Sequence, residues 1–157
     1  MIPCVIFDID GVLADGEHRL HLIHRPDPDW EEFFRAAQDD PPFPAMVRLN
    51  HAVAATTGIA LITGRPERIR TLTERWLRRH GIEWNVLLMR GNDDRRPDTI
   101  TKREAHDRLG IYGYRPFLAI EDRPSVVAMW RMLGLSCLAA DASLWDATQP
   151  AFDGAKP

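Results

Sequence analysis

Pro3-Cys4-Val5-Ile6-Phe7-Asp8-Ile9-Asp10-Gly11 is the stretch on which the reading of this chain turns. A short run of β-branched, aliphatic and aromatic residues ends in acids and a glycine, as a buried strand does when it feeds a loop. A strand over residues 3–9 is predicted. Asp8 and Asp10 are two apart on this extended segment, so their side chains point the same way at its C-terminal end and share one site.

Moving outward, residues 59–62 read as a second buried strand, followed by Thr63-Gly64-Arg65. Pro66 suits a first helical position, and Ile69, Leu72, Trp76 and Leu77 then fall on one stripe before His80-Gly81 closes the helix. Residues 85–89 form a third strand ending at Arg90, and a charged loop leads to Asp98, which can cap a helix through Leu109. A fourth strand over 117–120 runs into Glu121-Asp122, with a helix over 124–133 and a fifth strand over 136–140 after it. Before all of these except the first strand lies a helix over 45–57, with Gly58 as its end cap. Strands alternating with helices at these intervals predict an α/β fold. It is a Rossmann-like three-layer α/β/α domain with a central parallel sheet. Residues 14–44 break the pattern with three histidines, Pro26-Asp27-Pro28-Asp29, an amphipathic piece over 30–37 and Asp39-Asp40-Pro41-Pro42. They read as a small helical cap inserted after the first strand. Trp145 and Phe152 are expected to anchor the tail, and Trp76 and Trp130 to pack in the core.

At 157 residues the chain is expected to form a single domain, 1–157. Its 45% hydrophobic and 27% charged residues exclude a disordered or fibrous class. No apolar run approaches the roughly 18–20 residues of a spanning helix, so neither a membrane segment nor a signal peptide is expected. Cys4 and Cys137 lie in apolar strand segments as small hydrophobes, which argues against a disulfide framework and for a cytoplasmic location. The net charge of −3 is unevenly spread: residues 1–62 carry −6, residues 63–131 carry +5 and residues 132–157 carry −2.

The acids are the chemical signal. Asp8, Asp10, Glu121 and Asp122 all fall at strand ends, where parallel α/β sheets bind ligands. Four carboxylates in one pocket cannot all stay ionised without a cation, and an all-oxygen set suits Mg²⁺. Thr63 and Gly64 offer a hydroxyl and backbone N–H groups as an anion site. Arg65 and Lys102 each stand near a helix start, where a cation is unfavourable unless an anion lies beside it. A bound phosphate would satisfy both.

Asp8-Ile9-Asp10-Gly11-Val12, Leu61-Ile62-Thr63-Gly64-Arg65, Lys102 and Ile120-Glu121-Asp122-Arg123 resemble the four ordered motifs of the haloacid dehalogenase superfamily of phosphotransferases. More narrowly, Leu88-Met89-Arg90, Asp98-x-x-x-Lys102 and the run from Glu121 to Gly134 resemble the 3′-phosphatase domain of phage-type polynucleotide kinase-phosphatases. The resemblance implies hydrolysis of a phosphomonoester in two steps. Asp8 would form an aspartyl-phosphate, and Asp10 would serve as acid and then base. Mg²⁺ would be held by the Asp8 carboxylate, the Asp10 carbonyl and Asp122, while Thr63 and Lys102 hold phosphoryl oxygens. Gly64, Arg65 and Arg90 would contact phosphate or adjoining substrate, Asp98 would orient the lysine, and Arg19 of the cap would touch substrate. Glu121 departs from the paired aspartates of the family it resembles, so it would reach the metal through a water or hold a neighbouring group.

The resemblance implies 3′-phosphorylated DNA or RNA ends as substrate and association with a separate 5′-kinase or ligase. A kinase loop of the form G-x-x-x-x-G-K-[ST] is absent from this sequence. A small-molecule phosphatase or nucleotidase is the alternative of the same chemistry, and a receiver domain is a remote one. The small cap and Arg68, Arg70, Arg78, Arg79, Arg95 and Arg96 favour a polymer end, although these arginines also read as a solvated helix face. Trp30, Phe33 and Phe34 could stack a base or simply close the cap. His18, His21 and His24 read as one polar face of the cap, with a transition-metal cluster as the other reading.

Overall fold

A computed structural model of the chain describes residues 1–140; the expected anchors Trp145 and Phe152 lie outside them. Five strands form one parallel sheet: β1 (Ile2–Phe7), β2 (Gly58–Pro66), β3 (Val86–Arg90), β4 (Tyr114–Glu121) and β5 (Ser136–Ala139). Their order is β3-β2-β1-β4-β5. From β1 the chain builds outward to one edge through β2 and β3, then crosses back to place β4 and β5 on the other side. The direction of winding therefore reverses at β1, and a crevice opens beyond its C-terminal end. Asp8 is the next residue, and its N–H donates to the Ile120 carbonyl at 3.1 Å.

Period-two alternation explains why both faces of the sheet are covered. Cys4, Ile6, Ala60, Ile62 and Leu88 pack under α4 (Asp98–Leu109) and α5 (Pro124–Met132) through Ala105, Leu109, Val126 and Trp130. On the other face, Val5, Phe7, Ile59, Leu61 and Leu87 meet Trp76 and Leu77 of α3 (Arg70–Arg79) and the inner side of α2 (Pro44–Ala54). Truncating a wholly buried side chain of β1 such as Ile6 to alanine costs about 2–5 kcal/mol. Cys4 and Cys137 are unpaired and buried, and burial pushes both thiols up to about 11. Trp76 and Trp130 are core residues, as expected.

The cap contains a 3-10 turn (Glu17–Leu22), α1 (Trp30–Ala36) and a second 3-10 turn (Ala37–Asp39). Asp29 caps α1 by accepting from the Glu32 N–H at 3.0 Å. Ile23, Phe33 and Phe34 give the cap its own small core. Gly11, at φ +80°, turns the chain directly after Asp10. Among the described residues, no helix is long and apolar enough to cross a membrane.

The first strand stops at Phe7 rather than residue 9 and the fourth starts at Tyr114 rather than residue 117, and three further boundaries differ from the sequence reading. Pro66 does not open a helix: after a register shift β2 resumes pairing at Pro66 opposite Arg90, so a 3-10 turn (Glu67–Ile69) precedes α3. The first helix of the base ends at Ala54, leaving Gly58 to open β2. Asp98 is the first residue of α4 and makes no cap bond to it, because its carboxylate is taken by arginines from elsewhere.

Candidate active site

One pocket beyond the ends of β1 and β4 is lined by Asp8, Asp10, Gly64, Asp98, Lys102, Asp122 and Arg123, with Ile23, Trp30, Phe33 and Phe34 of the cap facing them. Strand ends supply Asp8 and Asp122, the first turn of α4 supplies Asp98, and the second supplies Lys102. Thr63 is buried and lines an adjoining cleft that shares Lys102 with the main pocket; its Oγ1 accepts from the Arg65 N–H at 3.2 Å.

On the floor, Lys102 Nζ donates to Asp8 Oδ2 at 2.7 Å and to Glu121 Oε2 at 2.8 Å. Asp8 Oδ1 accepts from the Ile9 N–H at 2.8 Å. Glu121 Oε1 accepts from the N–H groups of Asp122 and Arg123, both at 3.2 Å. Burial opposes charge on Lys102, but Asp8 and Glu121 overcome it and hold the ammonium above its ordinary range. Burial would likewise raise Glu121, and Lys102 reverses that and lowers it. Asp8 and Asp122 are pushed well up, by burial first and by Glu121 second. Ligand oxygens of Asp8, Glu121 and Asp122 lie within 4.8 Å of one another, and Asp122 Oδ2 is buried with no hydrogen-bond partner. Three carboxylates against one ammonium, with one oxygen left unsatisfied, fit a divalent cation with hard oxygen ligands.

Asp10 lines the same pocket but belongs to a different network. Arg19 Nη2 donates to its Oδ1 at 2.6 Å, and Arg65 reaches Oδ1 through Nη2 at 2.7 Å and Oδ2 through Nε at 3.1 Å. Burial alone would raise the Asp10 carboxyl, but Arg65 and then Arg19 outweigh it and hold it far below the usual carboxylate range. Both guanidiniums also bind Asp40, from Arg19 Nε at 2.8 Å, Arg19 Nη2 at 2.7 Å and Arg65 Nη2 at 2.9 Å. His18 Nε2 lies 2.9 Å from the same carboxylate, and the Asp40 carbonyl accepts from the Trp76 indole at 2.8 Å.

Several expectations change here. The acids do not form one cluster of four, since Asp10 is neutralised by arginines and the shortage of positive charge falls on Asp8, Glu121 and Asp122. The anions that Arg65 and Lys102 require are the protein's own carboxylates, so no bound phosphate is needed to explain either. Arg19 and Arg65 are fully buried and turned onto Asp10 and Asp40. Arg90 is buried too; it donates to Asp98 and, through Nη1, to the carbonyls of Asp94 at 3.1 Å and Arg96 at 2.6 Å. Arg123 Nη1 completes the Asp98 site at 3.1 Å from Oδ2. Burial would raise Asp98, but Lys102, Arg123 and Arg90 together lower it. Gly64 passes so close that a Cβ there would lie 3.1 Å from Asp98 Oδ1.

Asp40 and Arg123 were assigned no role in the sequence reading. Nothing local marks Asp40, which sits in turn-like composition; Arg123 could have been flagged as a cation directly after two strand-end acids. The histidines form no metal cluster among the described residues: His18 meets Asp40, and His21 Nδ1 lies 2.9 Å from the His18 carbonyl. Of the six arginines that favour a polymer end in the sequence, four are paired with acids within the chain, Arg68 with Glu31, Arg70 with Glu67, Arg78 with Glu74 and Arg96 with Asp94 and Glu104.

The reversal of the sheet at β1, with acids at its C-terminal end, is the architecture of the haloacid dehalogenase-type phosphatases. A haloacid dehalogenase-like hydrolase from Streptococcus pneumoniae shares the fold at a TM-score of 0.60 and 13% identity, over 87% of this chain and 83% of that one. Within that class the chain belongs to the polynucleotide kinase PNKP phosphatase domain family, which it matches over residues 2–143. It is similar to a chain of the Pnkp1/Rnl/Hen1 complex at 30% identity and a TM-score of 0.71, over 87% of this chain and 45% of that one. A second such structure, described as an RNA repair complex, gives 29% identity and a TM-score of 0.72, over 88% and 42%. The chain therefore spans less than half the length of those proteins.

Proposed function

We propose that this phosphatase removes the 3′-phosphate from polynucleotide ends through a covalent intermediate on Asp8. The observation that carries the reading is the division of labour in one pocket: Asp8 lies against Lys102 in a floor with excess negative charge, while Asp10 faces it from a separate arginine network. An Asp8 oxygen attacks phosphorus, the bond from phosphorus to the ester oxygen breaks, and Asp10 gives a proton to the departing 3′-oxygen. A water then attacks the phospho-aspartate and loses its proton to Asp10, which regenerates Asp8 and releases inorganic phosphate. Asp10 is ionised in the free protein; the negative charge of an arriving phosphoryl group raises its proton affinity, so it takes from solvent the proton that it gives to the ester oxygen, and the proton it later takes from water returns to solvent as phosphate leaves.

Lys102 holds Asp8 in place before reaction and meets the phosphoryl oxygens during it, with Thr63 and the Gly64 backbone beside it. Asp8, Asp122 and the Asp10 carbonyl would hold Mg²⁺, which supplies positive charge between an anionic nucleophile and an anionic substrate. Glu121 fixes Lys102 and the start of α5 rather than filling a ligand position of its own. Arg19 and Arg65 position Asp10, and Arg90 and Arg123 position Asp98.

The family match supports a polynucleotide end as substrate, and the RNA repair complex of the similar proteins supports association with a separate kinase or ligase. Unpaired buried cysteines agree with a cytoplasmic setting. Internal pairing of the surface arginines favours a second reading, a nucleotidase acting on free nucleoside monophosphates. Hydrolysis of a 3′-phosphorylated oligonucleotide, measured beside nucleoside 3′-monophosphates with Mg²⁺ and with EDTA, separates the two. A higher kcat/KM on the oligonucleotide supports the polymer reading, and equal values remove it.

A further inference from the structure

The two helical layers of the sheet differ in charge. Across one face, α4 and α5 together carry three acids against four cations. Across the other, α2 and α3 carry Arg48, Arg70, Arg75, Arg78 and Arg79 against Glu74 alone. Positive charge therefore gathers on one layer.

Within that layer the acids are used up. Glu74 serves both Arg70, at 3.5 Å, and Arg78, at 3.0 Å, and Arg70 also holds Glu67 at 2.7 Å. Arg48, Arg75 and Arg79 are exposed and meet no carboxylate among the described residues; Arg79 Nη1 donates to the Gln38 carbonyl at 3.3 Å. Arg75 and Arg79 are four apart on α3, so they stand side by side on its outer face, where like charges work against the helix. The dipole at the end of α3 favours Arg79 but does little for Arg75, one turn earlier. An anion lying across both would remove the repulsion. The exposed residues of α3 are Thr71, Arg75, Arg78 and Arg79, so this face offers a protein partner no apolar side chain to bury.

We propose that the outer face of α3, centred on Arg75 and Arg79 with Arg48 of α2 in the same layer, binds the phosphodiester backbone of a nucleic acid outside the pocket. Charge complementarity names the occupant, because a row of phosphates meets guanidiniums equally well in any base sequence. The face adjoins the active site through the cap: Gln38 lies two residues before Asp40, whose carbonyl accepts from the Trp76 indole of α3 and whose carboxylate holds Arg19 and Arg65. The inference rests on the polynucleotide reading above and adds a contact surface separate from the site.

Binding of a single-stranded oligonucleotide of about 20 nucleotides, with a 3′-hydroxyl so that nothing is turned over, is followed by fluorescence anisotropy across a salt series. In Arg75→Gln/Arg79→Gln the affinity at about 50 mM salt should fall roughly tenfold, and the slope of log K against log salt should shrink by about 1.4, the share of two phosphates on a single strand. Arg75→Lys/Arg79→Lys should keep both. Arg103→Gln/Arg115→Gln alters net charge equally at exposed positions outside the layer and should change neither. Turnover of a nucleoside 3′-monophosphate should be the same in every variant.

An equal loss in the Arg103/Arg115 pair would assign the effect to net charge and overturn the inference, as would an unchanged salt slope in the Arg75/Arg79 glutamine pair. Displacement of the oligonucleotide by poly-glutamate at equal charge would overturn the choice of nucleic acid. If oligonucleotide ends are cleaved in preference to free nucleotides while the glutamine pair binds normally, the polymer reading stands and only the inference falls. If the unaltered chain binds no oligonucleotide and hydrolyses free nucleotides alone, both fall.

Discussion

On the floor of the pocket three carboxylates, Asp8, Glu121 and Asp122, face one ammonium, Lys102; on the cap side two carboxylates, Asp10 and Asp40, face two guanidiniums, Arg19 and Arg65. Both networks are buried, so charge balance matters in each. The cap side is balanced within the chain and ties residues 10, 19, 40 and 65 into one latch between cap and sheet. The floor is not: two of its acids are raised by burial and mutual repulsion, and one Asp122 oxygen has no donor. A network that closes on itself stabilises the fold. One that is left short of positive charge is poised for a ligand.

Four experiments can break that distinction. The largest effect is expected at Asp8: Asp8→Asn should lower turnover by at least about four orders of magnitude while the chain still melts cooperatively. Appreciable residual turnover would place the nucleophile elsewhere. Next, titration with Mg²⁺ should raise Tm by roughly 5–10 °C at 100-fold excess over Kd. Asp122→Asn should abolish that rise, and a rise that persists would detach the metal from the floor. Asp40→Asn should act in the opposite manner, costing about 3–5 kcal/mol in urea melts with or without Mg²⁺, because it strands two buried guanidiniums on Asp10. An unchanged urea midpoint would mean that the latch does not hold.

The smallest effect is a matter of pH. Asp98 is lowered below its unfolded value, so its contribution is complete above about pH 4 and is lost as pH falls through the folded value. Asp98→Asn should therefore cost about 2 kcal/mol at pH 7, with the difference from the unaltered chain shrinking as pH falls below about 4. A difference that does not change with pH would show that Asp98 contributes through shape rather than charge.

Much of this was legible in advance where the cause is local. An apolar run such as Val5-Ile6-Phe7 has few ways to be buried other than as a central strand, and an acid that follows it must lie at the sheet's C-terminal edge. The helix before β4 was read with its observed end at Leu109. Pro66 misled because its φ suits a strand as well as a first helical turn, and pairing with Arg90 on β3 decided between them. Asp98 misled in a similar way: its composition suggests a cap, yet Arg90 and Arg123 claim its oxygens.

The amino-acid order alone determined which segments become strands and helices, and that Asp8, Asp10, Glu121 and Asp122 stand where the sheet binds ligands, because hydrophobic periodicity and turn chemistry act over a few neighbouring residues. Only the tertiary structure decided how the charges pair: Asp10 with Arg19 and Arg65, Asp40 with both, Lys102 with Asp8 and Glu121. Such pairing joins residues up to 94 positions apart. In a buried site each carboxylate takes whichever cation the packed elements bring within hydrogen-bond reach, and nothing in its own stretch of chain says which that is.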